Sequence, residues 1–195
     1  NAAPHRYDLS KILTPGSHII SIRVDNRIKE INVGPDSHSI TDQTQGNWNG
    51  IVGNICLKAT SPVFFDDIKL FTNIEKKSVK TVLSLNNITG KDVSAKIELS
   101  AKSFNSKTDH SVESFVKEIS VKKGKSNIEI IYPIGTDVQL WDEFNPALYK
   151  MTAVLSDEFG NTDEQEIQFG MRSFSVKGTG FEINNRPIFL RGTVE

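Results

Sequence analysis

The chain is poor in the features that mark several classes of protein. Of its 195 residues only Cys56 is a cysteine, so no disulfide can form within the chain. No apolar run approaches the roughly 20 residues that a membrane-spanning helix needs. The 23 basic and 24 acidic residues give a formal net charge of −1. Charge therefore gives no reason to expect nucleic acid or an anionic membrane as a partner. The hydrophobic share of 37% is that of a globular protein.

The sequence also lacks the residue clusters of common active sites. Its four histidines are too scattered for a metal-ligand set or a Ser/His/Asp triad: His5, His18, His38 and His110. Gly178-Thr179-Gly180 lacks the strand–helix context and the further glycine of a dinucleotide-binding loop. We interpret acidic pairs as solvated residues on strand faces or in turns, as at Asp66-Asp67, Asp142-Glu143 and Asp163-Glu164. The sequence thus predicts no catalytic residue, no metal site and no cofactor.

What the sequence does contain is alternation of apolar and polar residues with period 2. The stretches Val93–Ala101 and Tyr149–Leu155 show it, and Ile20, Ile22 and Val24 repeat it near the start. This period is typical of strands with one apolar and one wet face. Turn residues separate the runs, as at Phe159-Gly160-Asn161, because Gly and Asn tolerate the positive φ of tight turns. The pattern predicts an all-β protein.

Seven candidate strands follow one another within about a hundred residues, which favours an immunoglobulin-like β-sandwich over residues 63–172. They are Phe64–Asn73, Ser78–Leu85, Val93–Ala101, Val112–Val121, Asn127–Tyr132, Tyr149–Asp157 and Thr162–Phe169. The cysteine pair of antibody domains is missing, so only the architecture is similar. Gly135–Pro146 is interpreted as a long connection that Trp141 and Phe144 pin onto the sandwich.

The first 62 residues have a different pattern. Two apolar runs, His18–Val24 and Ile51–Leu57, flank a long polar segment without strand periodicity. A sandwich needs more strands than this, so residues 1–62 are expected to be the end of a domain whose beginning is absent. Ser61-Pro62 marks the predicted boundary, because proline cannot continue a central strand. Cys56 is interpreted as a small buried core residue rather than a reactive thiol.

Three groups of segments, in order along the chain, resemble glycoside hydrolase family 2, the family of β-galactosidases, β-glucuronidases and β-mannosidases. The first group is Tyr7-Asp8-Leu9 with Gly16–Asn26, and the second is Gln45–Gly53. The third comprises Leu140-Trp141, Asn145–Tyr149, Phe169–Phe174 and Phe181–Gly192. The resemblance implies that residues 1–62 end a jelly-roll sugar-binding domain. It also implies that residues 173–195 form a hairpin and a lead-in to a (β/α)8 catalytic barrel missing from this chain. In that hairpin we expect two short strands, Phe181–Ile183 and Ile188–Leu190, with Phe174, Phe181 and Phe189 as its core.

The resemblance implies a parent enzyme that hydrolyses O-glycosyl bonds of a β-linked carbohydrate and is periplasmic or secreted. Both catalytic glutamates of the family lie on later barrel strands, beyond Glu195, so this chain alone is expected to be inactive. Its partners would be the carbohydrate substrate, the missing barrel and further copies of the enzyme in a homo-oligomer, with no nucleic acid and no membrane. The expected role is to support the barrel and to shape its sugar-binding pocket.

The polar segment before Ile51 is the best candidate for contact with a sugar. In family members a loop here reaches the substrate, which implies substrate binding by Gln45, Asn47 and Trp48, since sugars need hydrogen-bonding partners and an apolar face. Several members carry an aspartate seven residues before this Ile, where the chain has Thr44. Asp42, two positions away, is the candidate for the same contact with the substrate. The alternative is structural: Trp48 fills the sandwich and the polar side chains satisfy loop backbone.

The end of the chain departs from the family pattern. After Arg191-Gly192 many members continue Val-Asn-x-His, whereas this chain has Thr193-Val194-Glu195. The departure indicates a β-galactosidase-like subfamily rather than a standard β-galactosidase. Arg191 is expected either to pair with a barrel carboxylate, the interpretation that we favour, or to shape the floor of the substrate site.

A second hypothesis comes from a different class of protein. The same alternating strands suit a free-standing carbohydrate-binding or adhesion module with fibronectin-like sandwiches. Such a module would bind glycans without a catalytic domain, whereas an accessory portion would share its pocket with the missing barrel and bind none alone.

Overall fold

The computed structural model describes residues 5–25, 50, 51 and 53–192. The chain divides into two compact units, Asn1–Lys58 and Ala59–Glu195. In the described part of the first unit, neither a strand nor a helix is assigned. Apolar residues of both predicted runs lie at the surface there, and Ile19 is 96% exposed. An extended segment becomes a strand only when its backbone N–H and C=O groups form hydrogen bonds with a neighbouring segment. The jelly-roll assignment of residues 1–62 therefore stays a prediction.

Cys56 is exposed, so its interpretation as a core residue is wrong. Its neighbours Ile55 and Leu57 are exposed as well. An apolar run identifies residues that gain from burial, but burial also requires a second layer to pack against. The described residues of this unit provide none.

The second unit contains the seven predicted strands, with ends that differ from the predicted ends by no more than three residues. They are β1 Val63–Asn73, β2 Ser78–Asn87, β3 Val93–Phe104, β4 Ser111–Val121, β5 Gly124–Pro133, β6 Leu148–Asp157 and β7 Thr162–Phe169. The all-β fold class is thereby confirmed. Among the residues that the structure describes, there is no helix long and apolar enough to cross a membrane.

The seven strands form two antiparallel sheets. The first has the order β1-β2-β5 and the second the order β4-β3-β6-β7. This is an immunoglobulin-like sandwich in which the fourth strand, β4, lies on the second sheet, whereas in constant-type domains the corresponding strand joins the first. The sequence did not predict the sheet to which β4 belongs, since alternation fixes the face of a strand and not its neighbour.

The core lies between the two sheets and follows the predicted alternation. Val79, Leu83 and Leu85 of β2 are buried, as are Ile97 and Leu99 of β3. Burying each such side chain contributes about 1.5–3 kcal/mol. The alternation along each strand thus places apolar side chains between the two sheets, where their contacts are the main source of the domain's stability.

Tyr132 is a large core residue with a polar end, and its hydroxyl has a hydrogen-bond partner. The side chain is fully buried, and its hydroxyl donates a hydrogen bond to the carbonyl oxygen of Glu113 at 2.9 Å. Burial raises the pKa of Tyr132 to about 12. The phenol therefore stays protonated and joins β5 to β4 across the gap between the sheets.

A buried polar contact joins β1 to β7, the edge strands of opposite sheets. Asp163 is 8% exposed, and its Oδ2 accepts a hydrogen bond from the backbone N–H of Phe65 at 2.9 Å. Gln165 donates from Nε2 to the carbonyl oxygen of Phe65, also at 2.9 Å. The β1 ladder shifts register between Phe65 and Asp67, which frees these backbone groups. The prediction that Asp163 is a solvated surface residue is therefore wrong.

After the sandwich come three short strands in a separate antiparallel sheet of order β10-β9-β8. They are β8 Phe174–Lys177, β9 Gly180–Ile183 and β10 Arg186–Ile188. The sequence predicted only two strands, and the second of them, Ile188–Leu190, actually ends at Ile188. The three phenylalanines interpreted as the hairpin core are exposed: Phe174 by 52%, Phe181 by 38% and Phe189 by 86%. That interpretation is wrong, because a single small sheet has no second layer.

Candidate functional site

The predicted sugar-contacting residues fall into two groups. Asp42, Gln45, Asn47 and Trp48 lie outside the described residues, and their role stays a prediction. Arg191 is described and is exposed. None of the described residues forms a hydrogen bond or an ion pair with its guanidinium group. The role predicted for Arg191 therefore stays a prediction as well.

The described residues with the densest polar chemistry lie where the sandwich meets the small sheet. We call this group the junction cluster, defined by Trp141, Asp142, Glu143, Arg172, Asn184 and Arg186. Trp141 stands at its centre. Its backbone N–H donates to the carbonyl oxygen of Met171 at 3.0 Å. Arg172 lies over the indole ring, 4.8 Å from the ring centre, which is cation–π geometry.

The close approach of Trp141 to the sandwich depends on Gly170. A β-carbon at Gly170 would lie 3.0 Å from Cβ and 3.1 Å from Cγ of Trp141. Cβ cannot move aside without the backbone, and Cγ moves only if the whole indole ring rotates. The prediction that Trp141 pins the Gly135–Pro146 connection is supported by these contacts. Phe144 does not share this role, since it is 77% exposed.

Asn184 links the small sheet to the sandwich. Asn184 and Asn185 have φ angles of 51° and 65°, the pair of positive values that a two-residue hairpin turn of type I′ requires. The turn aims the Asn184 side chain back at the junction. Its Oδ1 accepts from the N–H of Ser173, and its Nδ2 donates to the carbonyl oxygen of Trp141, both at 2.9 Å. The sequence signal was the Asn-Asn pair, which marks a turn but not its tertiary partner.

The two carboxylates of the junction cluster are ion-paired. Arg186 Nη2 lies 2.9 Å from Glu143 Oε1 and 3.9 Å from Asp142 Oδ2. Asp142 also accepts hydrogen bonds from the N–H groups of Phe144 and Asn145 at 2.8 Å. The bond from Phe144 is the main cause that lowers the pKa of Asp142, with further contributions from Asn145 and Arg186.

This environment is the opposite of what a catalytic acid needs. A glycosidase acid requires a raised pKa so that it carries a proton near neutral pH. Asp142 is instead held in its charged form, and its carboxylate stabilises a turn within the Gly135–Pro146 connection. Its arrangement with Glu143 and Arg186 is suited to fixing the small sheet in place.

His110 and Tyr149 form a second polar group inside the sandwich. His110 Nδ1 lies 2.7 Å from the hydroxyl oxygen of Tyr149, which accepts the backbone N–H of Gln139 at 2.8 Å. Burial raises the pKa of Tyr149, so its hydroxyl stays protonated. Tyr149 stacks on Phe169 with ring centres 5.5 Å apart. The group fastens the start of the Gly135–Pro146 connection and presents no carboxylate to a ligand.

Elsewhere the described surface offers little that could hold a metal or a compact ligand. No group of three or more His, Cys, Asp or Glu side chains is placed to hold a metal ion in the described part of the chain. A shallow, open groove of about 710 Å³ crosses the outer face of the second sheet. Its polar lining includes Ser100, Lys102, Asp109, Lys150 and Thr152. With Asp109 as its single carboxyl, it lacks the pair that glycoside hydrolysis uses.

Comparison with known proteins identifies relatives of this chain. Residues 63–172 match the family model described as Glycosyl hydrolases family 2. A β-galactosidase from Thermoanaerobacterium thermosulfurigenes is 29% identical over 196 residues, which cover 95% of this chain and 25% of that protein. A putative β-glucuronidase from Formosa agariphila is 26% identical over 198 residues, which cover 97% of this chain and 17% of that protein. The chain thus spans a quarter or less of the length of these two relatives.

Solved structures share the fold. A family 2 glycosyl hydrolase from Bacteroides cellulosilyticus superimposes with a TM-score of 0.57 at 22% identity, covering 68% of this chain and 19% of that one. A β-glucuronidase from Bacteroides uniformis gives a TM-score of 0.55 at 16% identity, covering 68% of this chain and 17% of that one. At these identities the likeness concerns the fold alone.

Proposed function

Because the chain belongs to the glycosyl hydrolases of family 2, we propose that it is a non-catalytic accessory portion of an exo-acting β-glycosidase. The full-length enzyme would be β-galactosidase-like and periplasmic or secreted. In this proposal the (β/α)8 barrel and its two catalytic glutamates lie in the remainder of the protein. The lengths of the relatives leave room for them, since the chain corresponds to 25% and 17% of the two proteins named above.

One observation supports the non-catalytic role. The family match covers the sandwich, and three of the less exposed carboxylates there are bound to backbone N–H groups or to an arginine. Asp163 holds the backbone of β1, and Asp142 is tied to Arg186 and to turn N–H groups. Asp157 accepts hydrogen bonds from the N–H groups of Phe159 and Asn161 at 2.9 Å. None of the three is an unpaired acid, because each accepts a hydrogen bond from a backbone N–H group.

The accessory role has two parts in this proposal. The sandwich and the junction cluster support the barrel and contribute to contacts between subunits. The segment with Asp42, Gln45, Asn47 and Trp48 touches the sugar from outside the barrel, and Arg191 pairs with a barrel carboxylate or shapes the substrate site. Arg191 is exposed and no described residue pairs with its guanidinium group, which supports its part of this assignment.

The non-catalytic role is tested by turnover of nitrophenyl β-galactoside and β-glucuronide. The purified chain is expected to release no nitrophenol, and the full-length protein is expected to release it. Activity of the chain alone that survives removal of contaminating enzymes would refute the proposal. A glycan array on the chain tests the alternative in parallel, since micromolar binding without the barrel would favour a free-standing binding module.

The sugar-contacting role is tested by Trp48→Ala in the full-length enzyme. Loss of one stacking contact in the transition state is expected to lower kcat/KM by roughly tenfold. Trp48→Phe, which keeps an apolar ring, is expected to lose much less. If Trp48→Ala leaves kcat/KM unchanged, the segment is structural, and the accessory role of the sandwich stands without it.

A further inference from the structure

The outer face of the second sheet carries a groove that has no part in the accessory role. It has a volume of about 710 Å³ and is lined by residues of β3, β4 and β6 together with the turn between β3 and β4. This volume lies within the roughly 300–1,000 Å³ of ligand sites in proteins. Alternation turns Ser100, Lys102 and Phe104 of β3 toward the groove, since Ala101 and Ser103 between them are buried. The strands of the sheet therefore hold most of its lining in place.

Two lysines of neighbouring strands stand side by side in this groove. Lys102 of β3 lies directly opposite Lys150 of β6 in the ladder, so their Cβ atoms are about 4.5–5.5 Å apart. Like charges directly opposite one another destabilise a sheet, and an anion held between them would remove that repulsion. Lys150 has a carboxylate partner in Glu166, with Nζ and Oε1 3.4 Å apart, whereas none of the described residues pairs with Lys102. The two ammonium groups are thus placed to receive an anion.

The rest of the lining suits a sugar. The hydroxyl groups of Ser100, Ser111 and Thr152 can each donate and accept hydrogen bonds. Ser111 lies opposite Lys102, and Thr152 lies opposite Ser100, so these hydroxyls surround the lysines. Phe104 is half-buried and ends the row on β3, where it offers apolar surface to the C–H face of a sugar ring. The groove thus combines hydroxyl partners, apolar surface and positive charge.

From this lining we infer that the groove binds a sugar chain that carries carboxylate groups, as a polyuronate does. The inference goes beyond the proposed accessory role, because the site lies on the sandwich and needs no residue of the barrel. Its open shape suits an extended chain rather than a free monosaccharide, whose site encloses most of the ligand. Asp109, the only carboxyl among the described residues of the lining, disfavours a polymer of high charge density such as nucleic acid. A polyuronate carries only one charge per sugar unit.

The experiment measures binding of a galacturonate hexamer to the full-length protein by thermophoresis. Because the groove is shallow and open, we expect a dissociation constant of about 0.1–1 mM, weaker than the micromolar binding of a free-standing module. Lys102→Gln should weaken binding about two- to fivefold, the range of one exposed ion pair, and its combination with Lys150→Gln should weaken binding about tenfold. Asp109→Asn should tighten binding about twofold, because it removes a repelling charge. The matched control is Lys96→Gln, which removes the same charge from the same face of β3 outside the groove and should leave the affinity unchanged.

Two further ligands separate recognition of the carboxylates from recognition of the sugar rings. The methyl-esterified hexamer keeps the rings and loses the charges, whereas a glutamate hexamer keeps the charges and loses the rings. Each is expected to bind roughly fivefold more weakly than the galacturonate hexamer. Equal affinity for either ligand, no binding of the galacturonate hexamer, or an equal effect of Lys96→Gln and Lys102→Gln would overturn the inference. An enzyme that hydrolyses nitrophenyl glycosides but gives one of these results keeps the proposed function and loses the groove as a glycan site.

Discussion

Removing the buried carboxylate of Asp163 tests how the two sheets are held together. Asp163→Ala deletes the acceptor of the Phe65 N–H, which lies 2.9 Å from Oδ2 in a buried position. A hydrogen bond to a charged group contributes about 1.5–3 kcal/mol, and a buried donor left without a partner costs about 1–3 kcal/mol. These figures describe one event and are not added together, and relief from burying the charge offsets part of the loss. We expect the free energy of unfolding to fall by about 2 kcal/mol.

The assay is urea unfolding followed by circular dichroism at the β-sheet minimum. With a slope of about 2 kcal/mol per molar urea, the midpoint of Asp163→Ala should fall by about 1 M. Glu164→Ala is the matched control, since Glu164 is exposed and its loss should change the unfolding free energy by less than about 0.5 kcal/mol. Asp163→Asn keeps an acceptor oxygen and should fall between the two. Equal midpoints for Asp163→Ala and Glu164→Ala would show that the contact contributes nothing to stability.

Two further substitutions test the junction cluster and the turn after β6. Gly170→Ala should lower the free energy of unfolding, measured in urea, by about 1–3 kcal/mol, because the added carbon would lie only 3.0 Å from Cβ of Trp141. Gly180→Ala is the control and should lower it less, because its added carbon meets only one atom, at 3.8 Å. Burial alone would raise the pKa of Asp157, but hydrogen bonds from Asn161 and nearby backbone N–H groups outweigh it and hold the pKa below its ordinary 3.8. That carboxylate therefore adds stability at neutral pH that is lost as pH falls through its lowered pKa. Asp157→Asn should cost about 1 kcal/mol at pH 7, and the difference should close below about pH 4; a difference independent of pH would contradict this.

The sandwich was predictable because each strand carries its own signal. In β2 and β3, alternation places every second residue in the core, and the structure has the same phase. β7 shows how far that signal extends. Asp163 has the same parity as Phe169, so both side chains face the core, as their burial confirms. Residue type predicted a surface position for Asp163, whereas periodicity pointed inward, and periodicity gave the correct answer.

The junction cluster was predictable only in part. The Asn184-Asn185 pair indicates a hairpin turn from sequence alone, because both positions need positive φ. Its contact with Trp141 joins residues 43 positions apart, and no local pattern encodes such a distance. β8 was missed for a related reason. Four residues are too few to display a period, and the strand exists because the turn at Gly178, with φ of 60°, brings it beside β9.

The error over the three exposed phenylalanines shows what apolar residues in a short sheet imply. Hydrophobicity measures how much a side chain gains on leaving water, and it does not specify which surface covers it. In the sandwich, two sheets cover each other, and apolar residues of alternating strands become core. In β8–β10, Phe174, Val176 and Phe181 face outward, because three strands supply one layer and a core needs two. A strongly apolar face on a sheet too small to fold back on itself is therefore better interpreted as an interface.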